Sequence, residues 1–157
     1  LLVKEIASLP ESERLPLVSH WGITGGDFVR LAGDALRQVR LAVVQTYSFI
    51  DRADPAAQRV VAALRARYGV AGPQSIESPI GVAHAYDLTH LLARAIERAG
   101  STDRARIRDA LEQLGPYQGL VKDYERPFTP ERHEALAPQD AFMARYGTDG
   151  RLIPAGN

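Results

Sequence analysis

The sequence predicts an α/β fold built on a parallel sheet, and three observations carry that expectation. Helix-like and strand-like segments alternate over residues 1–69, the order that right-handed crossovers produce. The strand-like segments are short and mostly apolar, as in sheets covered on both faces. The last stretch differs: two alternating segments flank Gly147-Thr148-Asp149-Gly150, a strong hairpin signal. A βα half followed by a hairpin-rich end implies two structural contexts and no internal repeat.

Taken in order, Leu1, Leu2, Ile6 and Leu9 recur among polar residues as the end of a helix that Pro10 stops. Glu11–Arg14 reads as a charged loop, and Leu15–Trp21 as a strand covered on both faces. Thr24-Gly25-Gly26-Asp27 fits a variant capping box. Phe28, Leu31, Ala32, Ala35, Leu36 and Val39 follow at helical spacing, which predicts one helix from Phe28 to Val39.

Arg40–Phe49 is rich in Val, Tyr and Phe and reads as the next strand. Asp54-Pro55 then starts a helix, with Ala57, Val60, Val61, Leu64 and Tyr68 as its buried stripe and Gly69 as its stop. After a connector over Val70–Glu77, Ser78-Pro79 opens a long helix that closes at Gly100. Its apolar residues cover more than half of the circumference, which predicts burial on more than one side. Ser101–Leu114 is a further helix ended by Gly115-Pro116, and Leu120-Val121 is the centre of a short strand. Arg126–Asp140 is a charged loop, and Ala141–Tyr146 with Arg151–Pro154 makes the hairpin.

Bulk numbers exclude several classes. The chain has 157 residues, 45% of them hydrophobic, which suits a globular protein. Nineteen basic residues balance nineteen acidic ones, so no global field draws the chain to nucleic acid or to an anionic membrane. Zero cysteines exclude a disulfide framework and a thiolate metal site. No segment approaches the ~20 apolar residues that span a bilayer, so direct membrane insertion is not expected. Leu1 is neither a starting methionine nor part of a signal pattern, and the chain is expected to be an excerpt or a processed piece.

The candidate chemistry centres on His20-Trp21-Gly22-Ile23-Thr24-Gly25-Gly26-Asp27. A strand leading into a glycine-bearing turn and a helix is where open α/β sheets hold ligands. The turn lacks the lysine of a P-loop and the full G-x-G-x-x-G spacing, so phosphate is weakly supported. Its N–H groups could accept a carboxylate, and Trp21 offers a flat face; an ordinary capped turn with a core tryptophan is the plainer alternative. His84, Asp87 and His90 spread over about 120° of a helix, too wide for one metal ion. Asp87 and His90 read more simply as an i,i+3 pair. Asp103, Asp109 and Glu112 are expected to be solvated. No metal site, cofactor or catalytic set can be named, and an enzyme is not expected.

Seven stretches together resemble one family. They are Leu15-Pro16-Leu17-Val18-Ser19-His20-Trp21-Gly22 with Gly25-Gly26-Asp27-Phe28, Gln45-Thr46-Tyr47-Ser48-Phe49, Val60-Val61-Ala62-Ala63-Leu64, Gly81-Val82-Ala83-His84-Ala85-Tyr86-Asp87-Leu88, and the pair Phe128–His133 and Phe142–Tyr146. The family is that of the periplasmic solute-binding proteins of ABC importers, in the branched-chain amino-acid (Leu/Ile/Val-binding) class.

The resemblance implies a three-layer doubly wound parallel sheet of the type I periplasmic binding protein kind, and a C-terminal half that spans parts of both lobes. Residues 1–72 would belong to the second lobe, 73–140 would return to the first, and 141–157 would cross back. It also implies a periplasmic or extracytoplasmic location, a small-molecule solute in the inter-lobe cleft, and hinge closure that signals to a membrane permease. The ligand contacts that match are Trp21, Gly22, Ile23, Thr24 and Gly25 on one lobe, and Gly81, Val82 and His84 on the other. Amino-acid binders of the family meet the ligand's ammonium group with a carboxylate where Thr24 stands here, with Asp27 one turn further in. A small carboxylate, amide or aromatic acid is therefore a fair alternative to an amino acid. A phosphate- or nucleotide-binding α/β enzyme domain, and a ligand-sensing receptor domain of the same fold, remain open.

Overall fold

The computed structural model describes residues 2–155, so the expected helical place of Leu1 and the tail residues Gly156 and Asn157 lie outside the described residues. In chain order the first elements are α1 (Leu2–Ser8), β1 (Leu17–His20), α2 (Phe28–Ala32), α3 (Ala35–Gln38), β2 (Leu41–Gln45) and α4 (Pro55–Tyr68). There follow α5 (Pro79–Ala99), α6 (Arg104–Leu111), β3 (Tyr117–Gln118), β4 (Asp123–Tyr124), β5 (Phe142–Tyr146) and β6 (Leu152–Pro154). They form two compact units, Leu1–Pro79 with Ala141–Asn157, and Ile80–Asp140.

The first unit is an α/β layer on a four-stranded sheet of order β1-β2-β5-β6. β1 and β2 are parallel, with Leu17 opposite Leu41. The C-terminal hairpin extends the sheet antiparallel, with Val43 opposite Ala144 and Gln45 opposite Phe142. Because side chains alternate along a strand, Leu41, Val43 and Gln45 share one face, and all three are buried. Val3, Ala32, Ala35 and Val39 from the helical side close over Leu41 and Val43 as a single apolar cluster.

Local signals explain α4 well. The Asp54 carboxylate accepts the Ala57 N–H at 2.8 Å, Pro55 occupies the first turn, and Gly69 ends the helix at φ 69°. Its buried stripe is narrower than expected. Ala57 is buried, Val60, Val61 and Leu64 are half-buried, and Tyr68 is exposed.

The helix expected over Phe28–Val39 is broken into α2 and α3. Gly33 adopts φ 54°, a positive-φ backbone conformation that favours glycine, and the chain restarts at Asp34. β1 also departs from expectation. As an edge strand it half-buries Leu17 and Ser19 only, and Val18 is 74% exposed.

In the second unit, α5 buries a single stripe, Ile80, Ala83, Asp87, Leu91 and Ala95. Leu88 and Leu92 are exposed, so burial on more than one side is not found. Leu91 and Ala95 pack with Ala110 and Leu114 at the end of α6. The expected strand at Leu120-Val121 is instead the bend between β3 and β4. Its two N–H groups donate to the buried Asp87 carboxylate at 2.5 and 2.9 Å. Asp87 therefore does not serve as the surface partner of His90. That imidazole lies against the Tyr86 and Tyr117 rings, with centroids at 4.5 and 6.3 Å. Glu112 is not solvated either: it pairs with Arg108 at 3.0 Å and approaches His133 at 3.4 Å.

Candidate functional site

β1 ends at His20, and the chain turns before it enters a helix. Trp21–Ile23 make one 3-10 turn. The Gly22 N–H donates to His20 Nδ1 at 2.9 Å. The Thr24 N–H and the Thr24 hydroxyl both donate to the Trp21 carbonyl, at 2.9 and 2.7 Å. Trp21 itself is 39% exposed, with its indole edge-on to the His20 ring at 5.8 Å.

These bonds replace the expected capping box. α2 starts at Phe28, so Asp27 occupies the N-cap, and its side chain makes no cap bond. The Asp27 carboxylate instead accepts from Arg30 Nε at 3.0 Å, and that guanidinium holds it below the usual carboxylate range. Gly26 sits at φ 62°, which turns the backbone between Thr24 and the helix.

The glycines have packing reasons. A Cβ on Gly25 would stand 3.1 Å from the Glu77 carbonyl, so the turn and the 73–77 connector pass each other at backbone distance. The anion cradle weakens accordingly. The Gly22 and Thr24 N–H groups are already bonded, and α2 has only five residues, too few aligned dipoles to attract a phosphate strongly.

Behind the turn, within the first unit, lies a cavity of about 270 Å3. Thr24 lines it, together with Gln45, Tyr47, the connector at Gln74, Ala144 and Tyr146. The Tyr47 and Phe49 rings form one wall, edge to face at 4.8 Å. Gln45 is 1% exposed, and neither its amide nitrogen nor its amide oxygen has a hydrogen-bond partner among the described residues. The Tyr146 hydroxyl is likewise buried and unpartnered among them, and burial pushes it up to about 12.

Sequence reasoning missed Gln45 and Tyr146 as residues that line a cavity. The available signal was a glutamine in phase with Leu41 and Val43 on a strand otherwise apolar on that face.

The other expected contacts lie in the first turns of α5, in the second unit: Gly81 is exposed, while Val82 and His84 are half-buried. Burial lowers the His84 imidazole below its ordinary value against the opposing pull of Asp87, and so favours its neutral form. The structure thus gathers Trp21–Gly25 in one turn and Gly81, Val82 and His84 on one helix start, each group within its own unit. Among the described residues no group of three His, Asp or Glu side chains could hold a metal ion, and no helix is long and apolar enough to cross a membrane.

The model of a family described as periplasmic binding protein matches residues 10–151 of this chain. Among solved structures, the chain is similar to a periplasmic binding protein type 1 from Bordetella pertussis Tohama I, with 25% identity and a TM-score of 0.77 over 98% of this chain and 42% of that one. It shares the fold of the leucine binding protein LivK from Thermotoga maritima at 21% identity and a TM-score of 0.68, over 98% of this chain and 41% of that one. It also shares the fold of the branched-chain amino acid transporter substrate binding protein LivJ from Streptococcus pneumoniae, solved with isoleucine. There the identity is 22% and the TM-score 0.67, over 96% of this chain and 39% of that one. The chain therefore spans about two-fifths of the length of these structures. No curated protein matches it in sequence.

Proposed function

We propose, from the premise that this chain belongs to the periplasmic binding protein family, that it is the C-terminal half of an extracytoplasmic solute-binding protein of the branched-chain amino-acid class. The full-length protein captures a small organic solute, an amino acid, amide or small or aromatic carboxylate, in the cleft of a two-lobed fold. Hinge closure around the solute then presents the complex to the membrane permease of an ABC importer. In this reading residues 1–72 belong to the second lobe, 73–140 return to the first, and 141–157 cross back.

The observation that carries the reading is the turn at the end of β1, within the stretch the family model matches. It offers what capture needs and little that catalysis needs: a half-exposed indole, a backbone turn fixed by Thr24 and His20, and no charged side chain among Trp21, Gly22, Ile23, Thr24 and Gly25. Binding of this kind requires an apolar wall and a few placed polar groups. On α5, the exposed Gly81 and half-buried Val82 supply apolar contact in this reading, and His84 supplies a polar one. The binding role needs no cofactor or metal, and an enzymatic role is not part of the proposal.

A thermal-shift screen of the full-length protein against amino acids, amides and aromatic acids tests the reading. A solute at a hundred times its Kd adds about 2.7 kcal/mol of stability, which such a screen detects. Stabilisation by nucleotides alone, or by none of these classes, would overturn it.

A further inference from the structure

The geometry points to a second small-molecule site in the first unit: the cavity lined by Gln45 and Tyr146 takes a small uncharged solute that carries a carboxamide or a comparable pairing of donor and acceptor.

Gln45 stands at the end of a buried apolar row, after Leu41 and Val43 on the same face of β2. A buried amide without partners costs free energy that leucine or methionine at that position would not. Here both ends of the amide are unbonded among the described residues, and the residue lines open space. Across the sheet, β5 presents Ala144 and Tyr146 on that same face, because Ala144 pairs with Val43. The small side chain of Ala144 lines the cavity alongside Gln45 and Tyr146, whose hydroxyl is also unbonded among the described residues.

The donor and acceptor pattern selects the solute. Gln45 presents two N–H donors and an acceptor, and Tyr146 a hydroxyl that does either. An anion would meet the donors but would face the Gln45 carbonyl oxygen; a cation would face the Gln45 N–H2 group. A carboxamide satisfies both ends at once. No buried charge compensates an ion in this cavity. The charged side chains that line it, Glu77 and Arg151, are exposed, and Arg151 is paired with Asp149 at 3.2 Å.

Size and lining add two constraints. At about 270 Å3 the cavity is at the small end of ligand pockets, which start at about 300 Å3. The edge-to-face Tyr47 and Phe49 rings suit a flat apolar body. Of the five turn residues of the solute clamp proposed above, this site shares only Thr24.

Benzamide, benzoate and benzylamine, equal in shape and different in charge, are the probes, and calorimetric titration of the full-length protein is the readout. Benzamide is expected to bind at least tenfold more tightly than either charged counterpart. Tyr146→Phe should weaken it about tenfold, the worth of one hydrogen bond, and Gln45→Leu should abolish it. Thermal melting without any probe gives the second measurement. Gln45→Leu should leave the melting temperature unchanged or raise it, since it removes an unpartnered polar group. No benzamide binding at millimolar concentration, or equal binding by Gln45→Leu, overturns the inference. So does a probe-free loss of several degrees in Gln45→Leu, because Gln45 would then be bonded within the full-length protein.

Discussion

The Asp87 carboxylate on α5 accepts the Tyr124 hydroxyl of β4 at 3.0 Å. Two backbone N–H groups of the β3–β4 bend meet the same carboxylate. One helix residue therefore fixes the hairpin that follows thirty residues later, and burial together with the Asp87 charge drives the Tyr124 phenol far above its ordinary value. Asp87→Ala leaves three donors, two buried and one half-buried, without an acceptor. At about 1–3 kcal/mol for each unsatisfied group, the loss should exceed about 3 kcal/mol in denaturant unfolding. Tyr124→Phe should cost about 1 kcal/mol.

The close approach at Gly25 gives a second expectation. Gly25→Val forces branched carbon atoms against the Glu77 carbonyl, where a Cβ alone would stand at 3.1 Å. The turn must shift, so the solute identified by the thermal-shift screen should bind at least tenfold more weakly. Gly69→Ala, at φ 69° and with open space around it, should cost only about 1 kcal/mol of stability and leave solute affinity unchanged.

Trp21 and His84 carry the expected contacts on the two units. Trp21→Ala should weaken solute binding by tenfold or more in calorimetry and change the melting temperature little, since the indole is half-exposed. The His84 value is lowered below 6.5 by burial. The unfolded chain therefore binds a proton before the folded one does, and stability should fall as pH drops from 6.5 toward the lowered folded value. His84→Gln should remove that part of the pH dependence in melting scans.

Asp140 titrates in the opposite sense. The Lys122 ammonium, at 2.8 Å, and the Ala137 N–H, at 2.7 Å, hold its carboxyl below its ordinary value of 3.8. Its contribution is fully present above pH 3.8 and is lost as pH falls through the lower folded value. The pair is partly exposed, so about 1 kcal/mol or less is at stake. Asp140→Asn should flatten the acid limb of the stability curve in that window.

The open face of β1 offers a last test. Val18 is largely exposed in this chain, and the chain spans about two-fifths of the structures it resembles. In the full-length protein that face is expected to be covered. Val18→Asp should then destabilise the full-length protein by about 2 kcal/mol or more; a neutral result would show the face to be solvated.

The sequence by itself determined the elements whose signals act within one turn. Asp54-Pro55 and Gly69 bound α4, and Gly147–Gly150 forms the β5–β6 turn; Asp103, expected on the solvated face of a helix from Ser101, instead caps α6 at the Arg106 N–H. Each works through backbone groups three or four residues away, so neighbours in the chain suffice to read it. The strand-to-helix turn at Trp21 was legible for the same reason. Its internal bonding was not, because Thr24 could bond forward to a helix or back to Trp21, and α2 starts only at Phe28.

Burial was decided only by the tertiary structure. Periodicity shows which residues share a face and not what, if anything, lies against it. Tyr68, Leu88, Leu92 and Val18 have the hydropathy of core residues and are exposed, while Gln45 and Asp87 are polar and buried. The free energy that places a side chain depends on residues remote in sequence: Leu120, Val121 and Tyr124 donate to Asp87, and Ala144 and Tyr146 line the cavity beside Gln45. For that physical reason the turn could be found in the sequence, and the cavity behind it could not.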